Sequence, residues 1–445
     1  MSASNPANLG ASTLDTDLAD RKAAYLPPSE LAVKYAKGLQ AHTPPTPHTS
    51  ATYAAGAANP HLIKKIESFY VRPRWLFVRI ETEGGVVGWG EGTLEGHTEA
   101  VEGSLKDISR RLIGWDAMNI EDIYSYLHRH RFYRAGEVLM SAMSGIDIAL
   151  WDIKGKVFGV PVWQLLGGKV RESAPVYGWI GGDRPSDVLE QAKARKAQGF
   201  TRVKMNGTES LGWLDSPHAL DETVKRLAEV KSVGLDAGLD FHGRVHKPMA
   251  KQLAKLLEPH RPLFIEEPLL PGYVKEMKDL YNQTSIPIAL GERLFTREQF
   301  KPYFELGCID IAQPDIAHSG GISETKKIAT MAEAYDIAIA PHCPLGPLAF
   351  AASLQIGFCT PNFVVCEMSW KMHYNTGGFD LFTYMSNPEV FTVREGSISL
   401  LTGPGLGVEL NEELIRSEAA LVIKEGIEPW QNPLFRGPDG SVREW

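Results

Sequence analysis

Asp240, Glu266 and Glu292 recur at equal intervals along the chain, and each closes a short apolar run. Phe264-Ile265-Glu266-Glu267-Pro268 is the clearest case. Its apolar residues give way to two carboxylates and a proline, the pattern of a buried strand whose last residues emerge at a rim. Three carboxylates brought to one point repel and raise one another's pKa, and a cation resolves that conflict. A ligand set of oxygens, with no His or Cys, suits a hard ion: Mg2+ first, Mn2+ as a substitute. Three unrelated salt bridges at strand ends are the competing reading, and the regular spacing argues against them.

Asp315 and His342 close two neighbouring runs further on. There a carboxylate can orient an imidazole and raise its pKa toward that of a general base. His242, two residues past Asp240, shares its face and is placed to act as an acid on the other side. Lys204 offers a counter-charge for a substrate carboxylate. These parts suit abstraction of a proton next to a carboxylate, with a metal to stabilise the anion, a histidine to take the proton and an acid to expel a leaving group. Loss of a β-hydroxyl then gives an enol, which relaxes to a 2-keto-3-deoxy acid.

What must position these residues is a repeated strand. Apolar runs ending at Asp240, Glu266, Glu292, Asp315, His342 and Glu367 recur every 23 to 27 residues, room for a strand, a turn and a helix. Helical patterns fill the gaps at residues 249–257, 298–306 and 323–335. Successive βα units whose strands end in functional side chains describe a parallel barrel with its site at the C-terminal rim. An open doubly wound sheet would gather its ligands at one switch point instead. Residues 174–179 read as the first barrel strand and 202–206 as the second, where Lys204 and Asn206 face the same side.

Ahead of the barrel, residues 61–172 read as an α+β capping domain. Strands are expected at 63–71 and 75–83, a Gly84-Gly85 turn into residues 86–91, and helices at 99–113, 120–130 and 138–158. Residues 92–97 suit a loop over the barrel mouth. Residues 1–60, rich in Ala, Pro and Thr, read as a flexible or surface-clinging arm, 173–400 as the barrel, and 401–445 as a C-terminal segment packing back on the cap.

The 445 residues carry a formal net charge of −8 and no basic run, which argues against nucleic acid and anionic membrane as partners. No run approaches membrane-spanning length, and no secretory segment opens the chain. Cys308, Cys343, Cys359 and Cys366 show no C-x-x-C spacing and read as buried thiols of a cytoplasmic protein. Cys343 follows His342, but strand alternation turns its side chain away from the histidine's. A small-molecule carboxylate substrate and further copies of the same chain are the expected partners.

From about residue 66 to 445 the chain resembles the enolase superfamily, in its mandelate racemase-like branch. The resemblance rests on Pro73-Arg74-Trp75, Gly88-Trp89-Gly90-Glu91, Ala149-Leu150-Trp151-Asp152-Ile153-Lys154-Gly155-Lys156, Gly181-Gly182-Asp183-Arg184-Pro185, Leu239-Asp240-Phe241-His242-Gly243-Arg244, Phe264-Ile265-Glu266-Glu267-Pro268, Gly291-Glu292-Arg293 and Pro341-His342-Cys343-Pro344-Leu345-Gly346-Pro347. The order and number of these motifs make the match specific.

That resemblance implies an α+β cap on a modified (β/α)7β barrel, with Mg2+ on Asp240, Glu266 and Glu292. It implies His342 as base with Asp315 raising its basicity, His242 as acid for a departing 3-hydroxyl, Glu367 as transition-state stabiliser, and Lys204 and Asn206 as substrate holders. The implied activity is dehydration of an acid sugar, D-galactonate first, a gluconate- or mannonate-type aldonate next. Racemases of the branch resemble one another in a K-x-K pattern whose second lysine is a base; Asn206 stands there and cannot take a proton, which favours elimination over an epimerase or racemase. A catalytically silent binding protein is the remaining alternative, and the presence of every ligand and base speaks against it. The chain departs from the branch at Gly92-Thr93-Leu94-Glu95-Gly96-His97 and at Met368-Ser369-Trp370-Lys371-Met372, positions that bear on substrate choice.

Overall fold

The computed structural model describes residues 58–134, 136–183, 186–209 and 211–445. The expected N-terminal arm lies outside the described residues as far as residue 57, as do Arg184 and Pro185 of the Gly181-Gly182 motif. The described chain opens with an antiparallel meander of β1 (Ile63–Val71), β2 (Trp75–Thr82) and β3 (Val87–Glu91). Strand β2 is buried on both faces, and its alternation serves two cores. Trp75 and Phe77 enter the cluster that holds the later barrel elements, while Leu76, Val78 and Ile80 enter that of the cap helices. Those helices are α1 (Thr98–Leu112), α2 (Ile120–Arg129) and α3 (Glu137–Phe158). Helix α3 crosses β3 at backbone distance, because Gly90 meets Gly145: a Cβ on Gly90 would stand 2.1 Å from the Gly145 carbonyl oxygen.

Short α4 (Val162–Leu165) leads into β4 (Ser173–Ile180), and from there strands and helices alternate. The order is α5 (Val188–Ala197), β5 (Arg202–Asn206), α6 (Asp221–Ser232), β6 (Asp236–Asp240), α7 (Lys247–Leu257), β7 (Ile265–Glu266), α8 (Val274–Tyr281), β8 (Ile288–Leu290) and α9 (Arg297–Leu306). It continues through β9 (Ile311–Ala312), α10 (Gly321–Glu333), β10 (Ala338–Ile339), α11 (Pro347–Cys359) and β11 (Cys366–Met368). Strands β4 to β10 pair in sequence order, all parallel. The ring closes where Phe363 bridges Ile339 and β11 pairs with β4. Only a short 3-10 turn (Pro388–Phe391), and no α-helix, comes between β11 and the next strand, so the architecture is the expected modified (β/α)7β barrel under an α+β cap.

Below the rim the barrel is filled by Tyr177, Phe264, Ala289, Ala340 and Val365. Polar side chains therefore collect at the C-terminal ends of the strands. After β11 the chain holds more than the tail its Gly and Pro content suggests. Strand β12 (Val393–Arg394) pairs antiparallel with β13 (Ser397–Ser399), which adds antiparallel to β4, and α12 (Glu412–Glu425) lies on β1. Arg416 bonds Glu67 there at 3.2 and 3.1 Å, and Arg72 pairs with Glu418. Among the described residues no helix is long and apolar enough to cross a membrane.

Candidate active site

Strand register assembles the site. In a parallel pair, registered residues face the same side, so Trp179 aligns with Lys204, Asn206 with Asp240, and Asp240 with Glu266 on adjacent strands. Glu292, Asp315 and His342 follow just beyond the ends of β8, β9 and β10, and Glu367 lies on β11. A cavity of about 490 Å3 opens over them, lined by Lys204, Asp240, His242, Glu292, His342 and Glu367 among others.

One oxygen each of Glu266 and Glu292 and a ring nitrogen of His342 lie within 4.8 Å of one another. Asp240, expected as the third metal carboxylate, stands beside this group and is engaged elsewhere. Its Oδ1 accepts the His242 backbone N–H at 2.6 Å and its Oδ2 is 3.6 Å from Lys204 Nζ. Lys204 Nζ draws the carboxylates in, at 2.6 Å from Glu266 and 3.3 Å from Glu367. That differs from the expected substrate counter-charge, since the ammonium is spent on protein carboxylates. Asn206 is fully buried, outside the cavity lining, with Nδ2 donating to Gly182 O at 2.9 Å. Glu367 Oε2 accepts the Cys343 backbone N–H at 3.0 Å.

The charges are frustrated in a way that fits a hard cation. Burial first, then the Asp240 charge, drives Glu266 well above the usual carboxylate range against the pull of Lys204. Burial would lower Lys204, but Glu266 and Glu367 hold it well above the ordinary lysine value. Burial would raise Glu292, yet His342 and then Arg293 hold it well below. Glu266 and Glu292 come within reach of one ion, with Asp240 beside them, an acidic group whose oxygens suit a hard cation.

His342 is oriented by a hydrogen bond between Nδ1 and Asp315 Oδ2 at 2.8 Å, and its Nε2 lies 3.0 Å from Glu292. Burial opposes its charge, but Glu292, Glu367 and Asp315 together raise it well above the ordinary histidine value. Asp315 serves a second ring: His318 Nε2 is 3.7 Å from its Oδ2 and 3.4 Å from Glu95 of the 92–97 loop. Glu95 also accepts from buried Arg74 at 3.0 Å. Burial would raise Glu95, and His318 and Arg74 bring it down to about 2. The loop therefore reaches the barrel mouth through charged contacts.

Several wall residues escaped the sequence reading. His318 follows Asp315 by three positions and carried that weak signal; Arg74 and Glu95 lay in quoted motifs without a role. Trp179 closes the expected first barrel strand but was given no role, and Tyr374, Trp430, Asn432 and Trp445 carried no signal, yet all line the cavity. Met372, from the stretch that departs from the branch, lines it too, whereas Met368 is fully buried.

Residues 68–167 match the Mandelate racemase / muconate lactonizing enzyme N-terminal domain family, and residues 187–414 match the Enolase C-terminal domain-like family. A protein of Salmonella enterica serovar Typhimurium, provisionally named a dehydratase, is 30% identical, with 80% of this chain and 98% of that one covered and a TM-score of 0.74. A provisionally named galactarate dehydratase of Agrobacterium radiobacter, bound to Na and L-malate, is 30% identical over 86% of this chain and 99% of its own, TM-score 0.76. A provisionally named mandelate racemase/muconate lactonizing enzyme of Labrenzia alexandrii is 29% identical over 86% and 99%, TM-score 0.74. The cap and the barrel agree with these matches over most of the chain's length, and the chain belongs to the mandelate racemase / muconate lactonizing enzyme family of the enolase superfamily.

Proposed function

We propose that the protein is a Mg2+-dependent acid-sugar dehydratase that removes the C2 proton and the 3-hydroxyl of an aldonate, D-galactonate first, leaving a 2-keto-3-deoxy acid. The observation that carries this reading is an unequal pair of imidazoles on one cavity. His342 has its Nδ1 on Asp315 at 2.8 Å, while Nδ1 of His242 is buried with no hydrogen-bond partner among the described residues. Mg2+ held by Asp240, Glu266 and Glu292 would supply positive charge to the substrate carboxylate as C2 becomes anionic.

With Nδ1 committed to Asp315, Nε2 is the His342 atom left to take the C2 proton, which requires its 3.0 Å contact with Glu292 to open and its own proton to leave first. Burial lowers the pKa of His242. The ring must therefore take up a proton before it can deliver one, and the departing 3-hydroxyl then leaves as water. Glu367, fixed by the Cys343 N–H, adds an acceptor at the rim while the charge redistributes. The resulting enol relaxes to the keto acid. Strand β5 supplies no second base, because Lys204 is held in ion pairs and Asn206 donates to Gly182, which supports elimination over racemisation. The cavity volume suits a six-carbon acid, and the provisionally named galactarate dehydratase supports the substrate class. Four buried free thiols accord with a cytoplasmic enzyme.

The test is a panel of aldonates and aldarates incubated with purified protein and Mg2+, scored for 2-keto-3-deoxy product and repeated with EDTA. Product on D-galactonate that EDTA abolishes is the expected result. Product on another acid keeps the chemistry and moves the substrate. Silence across the panel would overturn the reading.

A further inference from the structure

The chemistry above leaves residues 430–445 without a role. They fold as a strap. Arg436 and Val442 bridge antiparallel, with Gly437 N donating to Ser441 O at 2.9 Å and Arg443 N to Phe435 O at 3.0 Å. Trp430, Asn432, Glu444 and Trp445 line the active-site cavity. The strap touches the wall on several sides. Asn432 packs on Gly96 of the lid loop, where a Cβ would meet its Nδ2 at 3.0 Å. Trp430 meets Tyr374 edge-on at 5.0 Å, and Trp445 lies 6.0 Å from Trp430 and 4.7 Å from the ring of His242.

His242 shows why that last contact matters. Its backbone is pinned, with N–H on Asp240 at 2.6 Å, C=O accepting from Arg293 at 2.6 Å, and φ at 58°. Its ring is not, because Nδ1 is buried with no hydrogen-bond partner among the described residues. His342 has Asp315 for that task; an imidazole without such an acceptor is oriented by packing alone. The aromatic ring packed on it is Trp445, tilted by 57°. The indole Nε1 of Trp445 is itself buried without a partner, a donor with an acceptor still to find.

We propose that Trp445 is a positioning and specificity residue for the dehydration. Its indole face holds the His242 ring toward the departing 3-hydroxyl, and its N–H reads a distal hydroxyl of the substrate. The proposal rests on the dehydratase reading above. A polyhydroxy acid has oxygens beyond C3 to satisfy that donor, and a short 2-hydroxy acid has none, so the contact selects for chain length.

The experiment compares the full-length protein with its Trp445→Phe and Trp445→Ala variants. In protein labelled at histidine 13Cε1, the His242 signal, assigned by its loss in His242→Asn, is expected to carry an indole ring-current shift that Trp445→Ala abolishes. With Mg2+ and the aldonate that the wild type dehydrates, Trp445→Ala should lower kcat for product about tenfold or more, while C2 exchange in D2O stays within about twofold. Trp445→Phe keeps a ring but no donor, so kcat should recover and KM should rise about tenfold. Exchange and product falling together in Trp445→Ala, or kcat unchanged there, would overturn the positioning role. An unchanged KM in Trp445→Phe would overturn the reading of a hydroxyl. A wild type inert on every acid would defeat the dehydratase reading; in that case an unmoved His242 signal in Trp445→Ala overturns the contact, and a moved one upholds it.

Discussion

At the scale of residues, the site turns on how buried charges are balanced. Lys204 is the only ammonium placed against Glu266, Glu367 and Asp240 in the described structure, and it is fully buried. Removing one partner of a buried ion pair strands the other at a cost of roughly 3–5 kcal/mol. Lys204→Met is therefore expected to lose stability of that order in urea unfolding with EDTA, and to regain part of it with Mg2+. A variant as stable as wild type in EDTA would show that Lys204 does not hold the cluster together. The carboxylates themselves were legible because each closes an apolar run, a pattern that only a strand end explains. Glu95, His318 and Trp445 were not, since each lies in irregular chain and meets the site only through tertiary approach from a distant element.

At the scale of elements, polar contacts tie the cap to the barrel and to the C-terminal helix. Glu91 of β3 accepts backbone N–H groups of Gly346 and Ala349 at 2.8 and 3.0 Å, capping the start of α11. Helix α12 is clamped to β1 by Arg416 and Glu67. Burial would raise the Glu67 carboxyl, but bonds from Arg416 and Lys65 bring it from 4.5 to about 2. A carboxyl depressed on folding contributes stability that is full above its unfolded value and is lost as pH falls through the folded one. Arg416→Ala should thus cost about 1 kcal/mol near pH 7, and its gap to wild type should close as pH drops below 4.5. Chemical unfolding between pH 3 and 7 checks this, and a gap that widens in acid would contradict it. The long cap helices and the strand ends could be read from periodicity. Helix α12 and the β12–β13 hairpin could not, because Gly and Pro punctuation around them reads as loop while their pairing partners, β1 and β4, lie far back in the chain.

At the scale of the molecule, the cavity is a joint product of cap loop, barrel rim and strap. Glu95 brings the loop to His318 and Arg74, the strands bring the carboxylates and both histidines, and residues 430–445 bring aromatic rings. The barrel was foreseeable from one repeat of strand-end chemistry; the enclosure was not, because closing a pocket depends on where long connections return. The proposed chemistry is a division of labour in which His342 takes the C2 proton and His242 delivers one to the departing hydroxyl. The most direct measurement follows C2 exchange and keto-acid formation together in D2O with Mg2+, in His342→Asn and His242→Asn. His342→Asn is expected to lose both, and His242→Asn to lose product by about a hundredfold or more while C2 exchange persists. Exchange persisting in His342→Asn, or undiminished dehydration in His242→Asn, would contradict it.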